Sequence, residues 1–290
     1  MPVIALDLGA TKLAAARFTR DGHPAERHEL LLQGRRGPAV GQLIIDTVRS
    51  QLATDVTAVG ICVPGIYRAA AGSVWAPNIP GWDDYPLLAE VRTAVPKGVA
   101  VAIDSDRACS ILGETWRGAA QGARDAIFVA IGTGIGAGVL VDGRVLRGHG
   151  DIAGAVGWFA LDRPYRADYA GMGCFEYHAS GAGIAQRGRR STRDVFQAYD
   201  AGDAAARRVL DEAVEFWAMA LANLVSVFNP ERVIFGGGLF GPATRFLDRI
   251  CAQAARWAQP IAIGQVTVTA SALGADAALY GAARLALEST

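Results

Sequence analysis

The sequence predicts an α/β protein built from two similar domains, and three observations carry that prediction. At roughly 150 residues per domain, a length of 290 residues corresponds to two domains. Hydrophobic residues make up 51% of the chain and charged residues 19%, which excludes disorder and allows a large buried core. An arrangement of strand, glycine-rich turn and returning strand occurs near residue 9 and again near residue 134, as a repeated domain core would require.

The first copy opens with strands at 3–8 (VIALDL) and 13–18 (LAAARF), joined by the turn GATK into a hairpin with a glycine-rich tip. Val40, Leu43, Ile44, Val48 and Leu52 recur at helical spacing and predict a helix over 40–52. An apolar strand at 56–63 ends at Pro64-Gly65, and Pro77, Pro80, Gly81 and Pro86 mark an irregular loop. A short strand, VAVAI at 99–103, stops at the polar segment Asp104-Ser105-Asp106. The second copy has a strand at 126–131, a glycine turn GTGIGAG at 132–138, and a strand VLV that turns back at Asp142-Gly143. The charged stretch 185–194 reads as solvated surface. A long helix over 204–228 carries Leu210, Val214, Trp217, Leu221, Leu224 and Phe228 on one stripe and ends at Asn229-Pro230. A strand at 233–235, the loop GGGLFGP and a helix over 242–257 follow.

Charge and cysteine content narrow the function classes. The 28 basic residues balance 28 acidic ones, so no net field draws the protein to nucleic acid or to an anionic membrane. Cysteines 62, 109, 174 and 251 show no close pairing, which points to a reducing compartment. No apolar run reaches the ~18 residues of a membrane span, and no basic segment precedes the first apolar one as in a signal peptide. The expectation is a cytoplasmic protein with a small-molecule substrate. Lys12 and Lys97 are the only lysines, so a lysine inside a motif carries weight.

Glycine turns let backbone amides approach phosphate because no side chain intervenes. GTGIGAG fits a loose dinucleotide fingerprint, but that fingerprint requires a following helix, and VLVDGRVL turns into a hairpin instead. GGGLFG at 236–241 has the right context of strand before and helix after, yet too little chain follows it for a whole dinucleotide domain. The pattern G-x-x-x-x-G-K-[ST] does not occur, which excludes a P-loop.

These residues carry a family likeness. DLGATK, with Asp7, Gly9, Thr11 and Lys12, resembles the first phosphate motif of the actin-like sugar kinases. GTGIGAG, with Gly132, Thr133 and Gly134, resembles their second, and Gly236, Gly237 and Gly238 resemble the adenosine motif. VPG (63–65), PNIPGW (77–82), the segment around Asp106, ILGETWRGAA (111–120), GAVGW and GCFEYHASG (173–181) follow in the order found in the ROK family, and SALGADAALYGAA (271–283) resembles its C-terminal segment. The likeness covers nearly the whole chain. It implies two actin-like (ribonuclease H-like) domains around a cleft, residues 1–106 with 274–290 and residues 107–273, in a homodimer that takes ATP, Mg²⁺ and a sugar. It implies Asp106 as the base that accepts a primary hydroxyl proton, and Asp7 beside Mg²⁺ through water. Thr11, Lys12 and the glycines would face the nucleotide. Gly65, Asn78, Ser105, Ala155, Trp158 and Glu176 match acceptor-binding positions.

The chain departs from the family at the acceptor and at zinc. Ser105 replaces the asparagine before the base, and the family's G-E-x-G-H reads Gly154-Ala155-Val156-Gly157-Trp158. The zinc segment C-x-C-G-x-x-G-C aligns with ADYAGMGC, so Cys174 remains while Ala167, Tyr169 and Ala170 take other places, with His178 the nearest imidazole. Zinc is therefore expected to be absent, with Trp158 packing in its stead. The implied activity is an ATP-dependent kinase for the primary hydroxyl of a hexose-like sugar or C7-cyclitol, 2-epi-5-epi-valiolone 7-kinase-like. Glucokinase, N-acetylmannosamine kinase and kanosamine 6-kinase are the alternatives. The family's repressors carry a helix-turn-helix domain ahead of the first phosphate motif, whereas here the first strand begins at residue 3 and the charge is neutral. A non-catalytic sugar sensor would not need Asp106 and both phosphate loops.

Overall fold

In the computed structural model, which describes residues 2–290, the chain forms two compact units. The first gathers the chain up to Gly122, Arg147–Ala153 and Asp276–Thr290; the second comprises Ala123–Leu146 and Gly154–Ala275. The first unit thus runs past the boundary expected at 106, because the helix that starts there packs within it.

The first unit contains β1 (Val3–Leu8), β2 (Lys12–Phe18), β3 (His28–Leu31), β4 (Ala58–Val63), the small hairpin β5 (Ile66–Arg68) with β6 (Ser73–Trp75), and β7 (Ala100–Ser105). Its five-stranded sheet has the order β3-β2-β1-β4-β7. The pairs β1–β2 and β2–β3 are antiparallel, whereas β1–β4 and β4–β7 are parallel. A central parallel strand is covered on both faces, so it reads as an unbroken apolar run, and β4 (AVGICV) is buried at every position. Ile4, Leu6 and Leu8 pack on Val40, Ile44 and Val48 of α1 (Pro38–Gln51). Val3 and Ala5 face the opposite layer, where Cys109 of α3 (Asp106–Arg117) meets Leu279, Ala282 and Ala286 of the C-terminal helix Ala277–Glu288. α2 (Leu87–Ala94) completes the unit. Glycine makes the α3 seam close: a Cβ on Gly281 would lie 1.7 Å from the Cys109 carbonyl oxygen, and one on Gly60 would lie 1.9 Å from that of Ala282. β7 continues through Ser105 because Asp104 and Ser105 pair with Cys62 and Val63, so the strand outlasts its apolar residues.

The second unit contains β8 (Ala126–Ile131), β9 (Ile135–Val141), β10 (Arg144–Val145), β11 (Arg232–Gly236) and β12 (Thr267–Ala270) in the order β10-β9-β8-β11-β12. Antiparallel pairing on one side of β8 and parallel pairing on the other repeats the first sheet. The helices are α4 (Tyr169–Met172), α5 (Cys174–Ala179), α6 (Gly181–Gly188), α7 (Thr192–Asp200), α8 (Ala204–Phe228), α9 (Phe240–Ala243), α10 (Leu247–Ala254) and α11 (Pro260–Gln265). α8 has the predicted ends: the Asp203 carboxylate accepts the Ala206 amide at 2.8 Å, and Asn229 adopts the left-handed C-cap. The core centres on its buried stripe of Leu210, Val214, Trp217, Leu221 and Leu224.

Three expectations for this unit need correction. The glycine turn is confined to 132–134, since Gly136 and Gly138 lie within β9 opposite Ala130 and Phe128. The helix expected over 242–257 is broken into α9, a 3₁₀ turn Thr244–Phe246 and α10; the Thr244 hydroxyl donates to the Phe240 carbonyl at 2.5 Å and competes with the backbone ladder. The charged stretch 185–194 is not solvated throughout, because Arg187 turns inward to the Glu212 carboxylate. No helix among the described residues is long and apolar enough to cross a membrane.

Candidate functional site

In the first unit, the β1–β2 turn is closed by the Gly9 amide donating to the Lys12 carbonyl at 2.8 Å. Two residues earlier, Asp7 lies between Ala14 and Cys62 on the neighbouring strands. Burial lifts its pKa from 3.8 to about 6, a hydrogen bond from the Cys62 thiol opposes that rise, and the charges of Asp106 and Asp276 add to it. A cation beside Asp7 would relieve this energetic cost. Thr11 is exposed at the turn. Lys12 reaches sideways to the β3 edge, where its ammonium lies 2.9 Å from Glu29.

β7 runs directly into α3, and the junction carries Ser105 and Asp106. Ser105 caps the helix, its hydroxyl accepting the Ala108 amide at 3.4 Å. Asp106 is the first helical residue, reached by solvent yet surrounded by protein, and its Oδ1 accepts the Arg107 amide at 2.8 Å. Burial raises its pKa while the Arg107 guanidinium and the backbone amides lower it. A carboxylate with a raised pKa at the start of a helix stays available in ionised form and takes a proton more readily. Arg107 also donates to the Gly65 carbonyl at 3.3 Å. Asn78 is exposed on a loop pinned by Trp82, which is buried, stacks on Tyr85 at 4.5 Å and donates to the Gly37 carbonyl at 3.0 Å. Sequence reasoning did not single out Asp104, whose Oδ1 accepts the Ser105 amide at 2.8 Å and whose other oxygen takes the Arg147 guanidinium. Its adjacency to Ser105-Asp106 was the one signal available.

In the second unit, the Gly132–Gly134 turn is braced from below. Glu176 on α5 accepts the Ile135 amide at 2.6 Å, and burial raises its pKa against that bond. A Cβ on Gly134 or Gly157 would lie 2.8 or 2.9 Å from its Oε2. The Gly181 and Ala182 amides at the start of α6 donate to the Gly132 and Thr133 carbonyls at 2.8 and 3.1 Å. The Gly236–Gly238 loop arrives alongside. Gly237 has φ +91° and lies against Ile131, and the Gly238 nitrogen is 4.0 Å from where a Gly132 Cβ would be. The two glycine loops, distant in sequence, thus meet at one cavity of about 860 Å³ lined also by Thr133, Gly181, Thr192, Arg193 and Phe196. Side-chain-free backbone beside a cavity of this size fits a nucleotide and its phosphates.

The donor groups separate the two metals considered. Among the described residues no cluster of three or more His, Cys, Asp or Glu is placed to hold an ion. Mg²⁺ needs none, since it binds through one or two carboxylates, water and substrate phosphates, and Asp7 fits that role. The residues around Cys174 do not fit a four-ligand zinc site. Trp158, expected to pack into that space, is instead 57% exposed. What holds this region is a polar chain beneath it: the Tyr169 hydroxyl bonds His178 Nε2 at 2.8 Å and Asp162 at 3.0 Å, His178 Nδ1 lies 2.8 Å from Glu212, and its ring stacks on Phe216 at 4.0 Å.

A family model described as the ROK family matches residues 3–289. The N-acetylmannosamine kinase of Citrobacter koseri is 32% identical over 99% of this chain and 99% of its own. A ROK hexokinase from Thermus thermophilus, known from its crystal structure, is 30% identical, with a TM-score of 0.85 and 99% of both chains covered. A ROK family glucokinase from Streptomyces griseus, crystallised with glucose and AMPPNP, is 26% identical, with a TM-score of 0.80 and coverage of 99% of this chain and 100% of that one.

Proposed function

The chain belongs to the ROK family and has its two actin-like α/β units, and from that premise we propose how it acts as an ATP-dependent kinase on a hydroxyl of a sugar-like acceptor. The observation that carries the reading is the meeting of the two glycine loops, through Gly132 and Gly238, at a single nucleotide-sized cavity. Phosphoryl transfer asks the protein chiefly for positioning, charge neutralisation and a base at the acceptor oxygen. The glycine loops of the second unit hold the nucleotide through backbone amides. Asp7 would hold Mg²⁺, which when bound would supply charge neutralisation at the phosphates. Asp106 accepts the proton of the acceptor's primary hydroxyl, with its carboxylate aimed by the first turn of α3. Gly65, Asn78 and Ser105, which belong to the same unit as Asp106, contact the rest of the acceptor. The protein works in the cytoplasm as a homodimer.

The acceptor itself follows from what the chain lacks. Ala155 and Trp158 stand where the family resemblance implies a glutamate and a histidine, and Ser105 stands where it implies an asparagine. A hydrogen bond to a charged group contributes ~1.5–3 kcal/mol, so loss of the glutamate alone lowers affinity for glucose on the order of 10- to 100-fold. A ring that keeps the hydroxymethyl group but differs at its far end suffers no such loss. A C7-cyclitol of the valiolone type fits, with the exposed indole of Trp158 offered to its less polar edge. The likeness to a glucokinase favours glucose as the second reading. ADP release with glucose, N-acetylmannosamine, kanosamine and 2-epi-5-epi-valiolone decides between them. The valiolone is expected to give the highest kcat/KM, and glucose as the best of the four would return the chain to an ordinary glucokinase.

A further inference from the structure

Behind Asp106 lies an ion pair between a buried carboxylate, Asp104, and a solvent-exposed arginine, Arg147, to which phosphoryl transfer as described assigns no part. Asp104 is 3% exposed, yet it carries a carboxylate whose two oxygens are both engaged, one by the Ser105 amide at 2.8 Å and the other by Arg147. Burial lifts its pKa, and the Arg147 guanidinium and the Ser105 amide oppose that rise. Arg147 begins Arg147–Ala153, a segment that belongs to the first unit although the chain on either side of it belongs to the second. Gly148, Gly150 and Asp151 within it all have positive φ, and its one short 3₁₀ turn is kinked at Gly150.

With so little regular structure of its own, the segment is held by side chains. Arg147 grips Asp104, Asp151 accepts the Ala69 amide at 3.0 Å, and Arg107 donates to the Ala153 carbonyl at 3.4 Å. The four residues 104–107 therefore bind both ends of the segment: Arg147 donates into them at Asp104, and Arg107 donates out of them to Ala153. Between those two grips lie Ser105 and Asp106. Beyond Ala153 the chain leads directly to Gly154–Trp158, where the acceptor positions are substituted.

We propose that the Asp104–Arg147 pair is a positioning device for the acceptor site, fixing the Ser105 amide and the first turn of α3 so that the Asp106 carboxylate meets the acceptor hydroxyl. This rests on the reading of Asp106 as the base. Removing Arg147 leaves a buried charge without a partner; Asp104 then shifts, and the amide it holds shifts with it. A misplacement of about 1 Å at a reacting group costs on the order of 100-fold in rate.

The test measures ADP release with the same four acceptors for Arg147→Gln, Arg147→Lys and the double variant Asp104→Asn/Arg147→Gln, with thermal unfolding of each. Arg147→Gln is expected to lower kcat on the order of 10- to 100-fold while leaving KM for ATP unchanged, and Arg147→Lys to recover most of that loss. The double variant is expected to recover the unfolding temperature, having no unpaired buried charge, but not kcat, because the grip is still missing. A pair that merely stabilises the fold would recover both together, and that result overturns the proposal, as does a folded Arg147→Gln with wild-type kcat. Asp106→Asn separates the two readings. If it still turns over, the base assignment falls and the positioning role with it; if it is inactive while Arg147→Gln is not impaired, only the positioning role falls. A wild-type protein that turns over none of the four acceptors overturns both.

Discussion

The β1–β2 hairpin of the first unit and the β8–β9 hairpin of the second are the same object in topology, each leading a five-stranded sheet of the same order. Their turns are supported in opposite ways. The turn after Gly9 carries Lys12, drawn aside to Glu29, and two residues before it lies Asp7, held with a pKa of about 6 among other carboxylates. Gly134 closes a turn with no charge of its own, propped by Glu176 beneath and by the first amides of α6 behind. On the proposed function, one scaffold supplies a carboxylate to a cation and the other supplies neutral backbone to an anion. The division places the energetic cost of function in the first unit, as an ionised buried carboxylate, and steric intolerance in the second.

That contrast can be broken at four points, of decreasing size. Asp106→Asn is expected to lower kcat by ~10²–10⁴-fold while AMPPNP affinity, read by titration calorimetry, stays intact; weakened nucleotide binding would mean the first unit's acid also serves the second unit's ligand. Asp7 comes next. Because its folded pKa of about 6 lies above 3.8, its cost is absent below about 3.8, grows as pH rises from there to about 6, and is complete above that, at up to ~3 kcal/mol. At pH 7.5 without Mg²⁺, Asp7→Asn should therefore raise Tm, and an unchanged or lower Tm would show that the charge is not costly.

The third point compares the turn glycines directly. In Gly134→Ala the new Cβ would lie 2.8 Å from Glu176 Oε2 and displace its bond to Ile135, a loss of ~1.5–3 kcal/mol visible in chemical unfolding. The nearest atom to a Gly9 Cβ is 3.4 Å away, so Gly9→Ala should leave stability close to wild type. Equal effects at the two sites would remove the asymmetry. Smallest of all is Lys12→Met: its exposed pair with Glu29 belongs to a class that contributes little, and Tm is expected not to move.

The parts of this fold that announce themselves in sequence are those whose periodicity is created by burial. β4 is apolar because both its faces are covered, and α8 carries an apolar stripe because one side of it meets a core. β3 (HELL) is exposed at all four positions and forms only because β2 offers an edge, so nothing in its own residues marks it. β9 hides for a different reason: Gly136 and Gly138 look like loop residues, and only pairing with β8 makes them strand. The same limit applies to the site. Side chains within a motif, such as Asp7 and Asp106, can be found through the family resemblance that the motif carries. The bond from Ile135 to Glu176 joins residues 41 apart in sequence, and that between Arg147 and Asp104 joins residues 43 apart; both depend on backbone paths that no local pattern encodes.

The glycine seam between β4, α3 and the C-terminal helix has a consequence for how the protein is made. The ribosome delivers Gly60 and Cys109 early, but the helix that covers them, with Leu279, Gly281 and Ala282, emerges only after all of the second unit. At ~5–20 residues per second the interval between β4 and its cover is on the order of ten seconds or more. During that time an apolar face of the nascent first unit stands open to water, while the second unit already has nearly its whole sequence. The unit that is begun first is therefore completed last, and the helix bearing Asp106 gains its backing only when synthesis has passed residue 282.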